Sequence, residues 1–429
     1  MRTRTLSRIL RDQRGIALPM ALLIVLTLSA LMAAFSVLGA SEPTLAANQQ
    51  RVAQARAIAE SGLERAIWAL NNPKDASGID GNKLGMLPNP AGPAPAPYDG
   101  SVLVPASLAG GTQVGGFRVT VTASVVGGVV VPSERNILVD GWVPNDTAPN
   151  RVKQRIQVTV SKIRFLDAPA PLAVRGELEV GGHSYIDART DMSCGPKGGS
   201  WSKDKTDQGG SSKVYGVDDV VNGPNLDVAN QPTLYSQNPA GDIVTNVPDA
   251  VFDTFTYSSD ELTMLKTIAK ANGTYYQGEV KFDASNLIPN GLVFVDTVSG
   301  QNITPSTPTS DFAKLRISGD AAEHVDAATG DRIFQGWIVV AGSARIDGLF
   351  QMHGLLYVQN DLTYMGIGKG QIVGAVISQN VRDTVSTSID SDTGGNSTIL
   401  WNCKYAQDGD SQVSQSFIVK LGSYRAVAG

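Results

Sequence analysis

Two cysteines and three histidines are all the thiol and imidazole chemistry that this chain of 429 residues carries. His183, His324 and His353 lie far apart and show no metal-ligand spacing. None accompanies a nucleophile signature, and no glycine-rich phosphate loop is present. Oxygen-bearing side chains concentrate in Asp390-Ser391-Asp392-Thr393-Gly394-Gly395-Asn396 and in Asp408-Gly409-Asp410. Hard cations use loops of that kind, so Asp390, Asp392 and Asn396 are calcium candidates. Neither segment follows the EF-hand pattern, and Asp, Gly and Asn also build ordinary turns. No catalytic residue, no cofactor and no firm metal site is expected. Cys194 and Cys403 are disulfide candidates if the chain reaches an oxidising compartment. Their bridge would close a loop of roughly 200 residues, worth about 5 kcal/mol in the chain-entropy model. Two unrelated buried thiols are the alternative.

The N-terminus settles the compartment. Arg2, Arg4, Arg8, Arg11 and Arg14 precede Gly15, with only Asp12 to offset them, and an uncharged apolar run follows from Ile16 to Leu38. At about 1.5 Å per residue that run covers roughly 35 Å, enough for a hydrocarbon core of about 30 Å. The basic leader keeps the N-terminus cytoplasmic and the body exported. A removed signal peptide is the alternative, but Leu38-Gly39-Ala40 is a poor cleavage site and the run exceeds an h-region of about 7–15 residues. Pro19 and Pro43 each remove a backbone donor and can kink the helix. Helical periodicity continues through Val52, Ala55, Ala59, Leu63, Ala66, Ile67 and Leu70, a stripe that needs a partner.

Arg14-Gly15-Ile16-Ala17-Leu18 before the apolar run resembles the prepilin-peptidase site of type IV pilin-like proteins. Asn48 and Ala57-Ile58-Ala59-Glu60-Ser61-Gly62-Leu63-Glu64-Arg65-Ala66 resemble the end of the N-terminal segment in PilX-type minor pilins. The resemblance covers residues 11–70. It implies cleavage after Gly15, with Ile16 as a new, methylated N-terminus. Major pilins usually carry Glu at the fifth mature position, where Met20 stands here. A carboxylate in lipid is costly unless paired, so Met20 removes a cost and a docking handle together. Tip-located pseudopilins of type II secretion share this loss.

The rest of the chain reads as an α+β body. Proline and glycine crowd 71–100, a linker. Between 101 and 166, Phe117–Thr122, Val125–Val131, Asn136–Val143 and Arg155–Val160 read as strands of a pilin-like antiparallel sheet, with a turn at Gly127-Gly128. Residues 167–429, beginning at Asp167-Ala168-Pro169-Ala170-Pro171, form a second, exported domain. In it Gly336-Trp337-Ile338-Val339-Val340, Gly354-Leu355-Leu356-Tyr357-Val358 and Gly374-Ala375-Val376-Ile377-Ser378 repeat, and Ala344-Arg345-Ile346 aligns with Leu362-Thr363-Tyr364. A glycine-punctuated period near about 20 residues suggests a parallel β-solenoid. Pro171–Ile186 and Gly291–Val295 resemble further rungs, and the tract 197–225 reads as a surface excursion. In this register Asp347 meets Met365 and Asp361 meets Ser343, so no acidic stack of the polysaccharide-cleaving kind is expected. A helix over 259–272 starts at a Ser258/Glu261 capping box, uses Leu262, Leu265, Ile268 and Ala269, and ends at Gly273.

With a net charge of −5 and no basic body, nucleic-acid binding is not indicated. The resemblance implies a minor pilin or pseudopilin-like subunit that initiates or caps a filament and displays its large domain, with adhesion as an extension of display. The partners it implies are major and minor pilins, prepilin peptidase, the inner-membrane assembly platform and the lipid bilayer. A tip pseudopilin of type II secretion is a second reading, and a membrane-tethered carbohydrate-active β-helix a third.

Overall fold

The periodicity that starts in the apolar run produces one unbroken helix, α1 (Ala17–Asn71), in a computed structural model of the chain. The structure describes residues 17–71, 94, 96–107, 111–216, 242–382, 389–413 and 416–428. Gly15, Ile16 and most of the proline-rich linker lie outside these residues. Helix α1 continues through Pro43, so the loss of one backbone hydrogen bond does not end it.

The chain divides into two units, Met1–Ser161 with Phe417–Gly429, and Lys162–Ser416. The boundary therefore falls before Asp167, and the last residues, expected in the second domain, return to the first unit. There β1 (Val104–Ser107), β2 (Gln113–Val126), β3 (Val129–Val143) and β4 (Val152–Ser161) form an antiparallel sheet in sequence order, and the short strands Ile418–Val419 and Arg425–Ala428 both pair with β4. Gly127 and Gly128 both take positive φ, as a two-residue hairpin turn requires. The C-terminal half of α1 lies on this sheet. Ala55, Ala59, Leu63, Ala66 and Leu70 are buried with Val119, Val121, Val139 and Val158. The stripe differs from expectation at its edges: Val52 is exposed, whereas Ile58 and Ala69 are buried. Asp140 binds both guanidinium arms of Arg155, at 2.7 and 2.9 Å. Burial alone would raise its pKa, but the bonds to Arg155 and Lys153 outweigh burial and hold the carboxyl below its ordinary value.

In the second unit the strands run parallel. The first strands are β5 (Leu172–Val174), β6 (Leu178–Val180), β7 (Tyr185–Asp187), β8 (Ser200–Ser202), β9 (Thr206–Gln208), β10 (Lys213–Tyr215) and β11 (Ile243–Val244). The expected surface excursion is thus partly a correction: β8, β9 and β10 pair in parallel with β5, β6 and β7, because backbone pairing needs register, not apolar side chains. Two helices follow, α2 (Asp249–Thr254) and α3 (Ser259–Asn272), the second with the Ser258–Glu261 capping box and Gly273 at its end. Then come β12 (Tyr275–Gln277), β13 (Glu279–Phe282), β14 (Gly291–Asp296), β15 (Ala313–Ser318), β16 (Phe334–Val340), β17 (Gly342–Gly348), β18 (Gln351–Val358), β19 (Leu362–Gly366), β20 (Gln371–Ser378), β21 (Ser391–Gly395), β22 (Thr398–Trp401) and α4 (Cys403–Asp408).

From β14 to β22 consecutive strands alternate between two parallel sheets, and each pairs with the strand two places on. The first sheet includes β14, β16, β18, β20 and β22; the second runs β13-β15-β17-β19-β21-β6-β9. The aligned glycines are register partners, Gly336 with Gly354 and Gly354 with Gly374, as are Ala344 and Leu362. Between the sheets lie Leu315, Ile338, Ile346, Leu356, Tyr364 and Val376. The central strands β14, β16, β18 and β20 of the first sheet are buried on both faces over most of their length, which explains their continuous apolar runs. Trp337 and Tyr357 on its outer face pack against Tyr257, which precedes α3, at 6.4 and 4.9 Å between ring centroids. The second sheet alternates buried and exposed residues in β15 and β17, so one of its faces meets water. Charges buried inside the unit are paired, as in Arg189–Asp187 at 2.9 Å and Lys266–Asp296 at 2.8 Å. Tyr275, partly buried and donating to Asp296, is pushed up to about 12.

Candidate functional site

The solvated face of the second sheet carries a single row of register partners across seven strands. It reads Lys281, Arg316, Arg345, Thr363, Asp392, Glu179, Asp207. Neighbouring positions lie about 4.8 Å apart, the strand spacing. Three cations stand on one side of Thr363 and three carboxylates on the other. Asp347 moderates the basic side, binding Arg345 at 2.9 Å and Arg316 at 3.4 Å. An open groove of about 660 Å³ runs over the middle of the row, with Phe312, Leu315 and Ala344 in its lining.

This row corrects the expectation that no acidic stack forms. The register read from the repeat holds, since Asp347 does meet Met365. The stack arises one strand further, where β21 pairs with β6, a segment more than two hundred residues earlier in the chain. Glu179 and Asp207 therefore escaped notice. The alternation Leu178-Glu179-Val180 and its match to Ser391-Asp392-Thr393 were the available signal. Burial is the main reason that the Asp392 carboxyl titrates above its ordinary value, partly offset by a hydrogen bond with Thr363 and by the charge of Arg345. A raised carboxyl beside an ionisable neighbour is the arrangement that acid–base chemistry uses, although structural charge ladders produce the same shift.

The other calcium candidates do not converge with Asp392. Asp390 turns to the chain, accepting the Glu177 N–H at 2.8 Å. Asn396 occupies the turn before β22, where its N–H donates to the carbonyl of Gly366 at 2.7 Å. Among the described residues no group of three or more His, Cys, Asp or Glu side chains is placed to hold a metal ion. His353 stacks on Tyr405 of α4, with ring centroids 4.4 Å apart, and burial lowers its pKa. Cys194 and Cys403 are joined as a disulfide, with Cα atoms 5.8 Å apart. The bridge fixes the start of α4, where the Cys403 N–H also donates to Asp191.

At the N-terminus, Pro19 and Met20 fall in the first turn of the described helix and Leu38 further along it. Leu18–Ser36 is long and apolar enough to cross a membrane, and it is exposed throughout. An anchor and a signal segment both satisfy that test.

No family model matches the chain, and no curated protein does. Among solved structures, a glycosylated ice-binding protein (LeIBP) from an Arctic yeast is similar at 10% identity and a TM-score of 0.25, over 56% of this chain and 94% of that one. The competence-associated pilin ComZ from Thermus thermophilus is similar at 12% identity and a TM-score of 0.24, over 88% of this chain and 98% of that one.

Proposed function

We propose that this chain is a minor pilin-like subunit whose N-terminal helix joins the core of a type IV pilus-like filament and whose second unit, a β-solenoid, is displayed at or near the tip. The observation that carries this reading is α1 itself. Its first half is apolar and exposed, and without interruption its second half is buried on an antiparallel sheet. A helix built so is half anchor and half scaffold. Met20 in place of a carboxylate favours a position where no neighbour's N-terminal ammonium must be neutralised. The bulk of the second unit favours few copies, because such bodies would clash at every helical step. The role is display, with adhesion as one use, and no catalysis is assigned to it.

Processing tests the reading. Gly15→Val places a β-branched side chain before the cut, and the mature mass should then retain the leader. Identical mature masses in wild type and variant would overturn it. Gold label should gather at filament ends, and deletion should lower filament number more than length. Loss of protein secretion with filaments intact would favour the type II tip pseudopilin instead. The carbohydrate-active reading gains one supporting observation, the register pair Asp392 and Glu179 in the lining of an open groove. Polysaccharide cleavage that disappears in Glu179→Gln would establish it.

A further inference from the structure

The hairpin of β2 and β3 outruns the rest of the first unit. β4 pairs with β3 only from Glu134 onward, so Val129–Ser133 have no β4 partner. On the other side β1 stops at Phe117, and the remaining contacts reach only Thr120 and Val121. Beyond them, among the described residues, no strand lies along the outer edge of β2 from Thr122 to Val126. A bulge between Ala123 and Ser124 skips residues of β3 and re-aims the ribbon. The tip is Val125-Val126-Gly127-Gly128-Val129-Val130-Val131, without a charge or a polar side chain. Val125, Val126 and Val129 are 56%, 64% and 69% exposed, whereas Val119, Val121, Val139, Val158 and Val160 of the same sheet are buried.

The ribbon points away from the membrane-spanning half of α1. Ile58 lies against Gly115 and Gly62 against Phe117, so residue numbers rise together along α1 and β2. At the end of α1, Asn71 accepts the Phe417 N–H, and Phe417 lies under Arg135, the register partner of Ala123. The valines begin where the helix ends and project past it. The lipid that holds α1 is at the opposite end. The tip also lacks the aromatic and basic side chains with which segments settle into a bilayer interface.

We propose that the edge of β2 from Thr122 to Val126 accepts an extended apolar strand of a neighbouring anchored subunit, which continues the sheet and covers the valines. Two features select this occupant. Pro132 deletes a donor from the β3 side of the ribbon, whereas β2 has no proline and offers a complete edge. The exposed valine area falls well short of the roughly 1,000 Å² that a free-standing interface needs. A strand addition of this size holds when both partners are tethered in one assembly at high effective concentration. The inference rests on the filament reading above.

The test uses the full-length protein in its native membrane, with a photoreactive amino acid at Val126 and, separately, at Leu31 in the apolar half of α1. Irradiation should join position 126 to a second subunit that itself carries a prepilin-type N-terminal helix, identified by peptide mapping of the adduct. Val129→Asp should lower that adduct by at least about tenfold, because a carboxylate would be desolvated in the contact. Val129→Ile should keep it. Both substitutions are at an exposed turn flank, and an unchanged melting temperature confirms folding. Adducts from position 31 but none from position 126, or adducts from 126 to lipid or to this chain alone, would overturn the inference and leave the filament reading standing. Silence at both positions would remove the filament reading and this inference with it.

Discussion

Glycines stand at tight approaches in both units, and Gly62 in the first differs in kind from the stacked glycines of the second. In the first unit they let a helix settle on a sheet. A Cβ at Gly62 would meet Phe117 Cδ2 and Val139 Cγ1 at 2.8 Å, both ends of side chains. In the second unit Gly336, Gly354 and Gly374 stack in register, each with φ between +144° and +156°, and a Cβ on any of them would strike the carbonyl of the glycine in the adjacent strand. At Gly62 side chains would have to give way, at the stacked glycines backbone. Parallel pairing fixes its own strand spacing, so one intolerant position repeats in successive strands. The helix-on-sheet contact has one rigid point of its own, since a Cβ at Gly141 would meet the backbone of Ala55 and Ala59 at 2.5 and 2.8 Å.

Four substitutions separate the two kinds of contact. The largest effect is expected from Gly354→Val, which combines a disallowed φ with overlap on the backbone of Gly336. It should cost more than about 4 kcal/mol and unfold the second unit. Limited proteolysis should then digest residues 162–416 while the first unit persists. Equal loss of both units would show that they do not fold independently.

Cys403→Ser comes next. It releases α4 from the Cys194 segment and should destabilise the second unit by about 2–5 kcal/mol. Native, unreduced wild type should show no alkylatable thiol, and the variant should show one at Cys194. A melting temperature that reductant leaves unchanged would mean that the coil closes without its staple.

Gly62→Ala should cost about 0–2 kcal/mol. Crowding against Phe117 and Val139 is partly offset by the roughly 1 kcal/mol that alanine gains over glycine in a helix. A loss as large as that of Gly354→Val would erase the distinction between yielding and rigid contacts.

The smallest effect is at Asp392. Its folded pKa is raised, chiefly by burial, so the protonated carboxyl is the form the fold prefers. That preference stabilises fully below the unfolded value of about 3.9 and is lost as pH rises through the folded pKa. Asp392→Asn should therefore be slightly more stable than wild type at neutral pH, with the difference vanishing in acid. A variant less stable at every pH would mean that the carboxylate is held by its partners rather than penalised by burial.

Local pattern carried some elements far. The capping box at Ser258–Glu261 and the end at Gly273 are interactions within one helix, and their positions were readable because each partner is only a few residues away. The register of Gly336, Gly354 and Gly374 was readable for a related reason. Successive paired strands present equivalent residues at nearly constant spacing, so the repeat in sequence is the repeat in space. The amphipathic half of α1 was legible except where the sheet ends, which is why Val52 is exposed and Ala69 is not.

Sequence alone determined the order of elements: a basic leader, an apolar span that continues as a scaffold helix, an antiparallel stretch and a repeating run of parallel strands. Helical and strand periodicity and the cost of lipid burial act between neighbours along the chain. Tertiary structure decided what depends on distant segments meeting. It returned residues 418–428 to the sheet of the first unit and turned the polar tract after Gly199 into parallel strands. It also set Glu179 beside Asp392, making an acidic column from two segments more than two hundred residues apart in the chain. Backbone pairing accepts any side chain that tolerates the strand, so composition does not announce which strands will pair or which charges they will bring together.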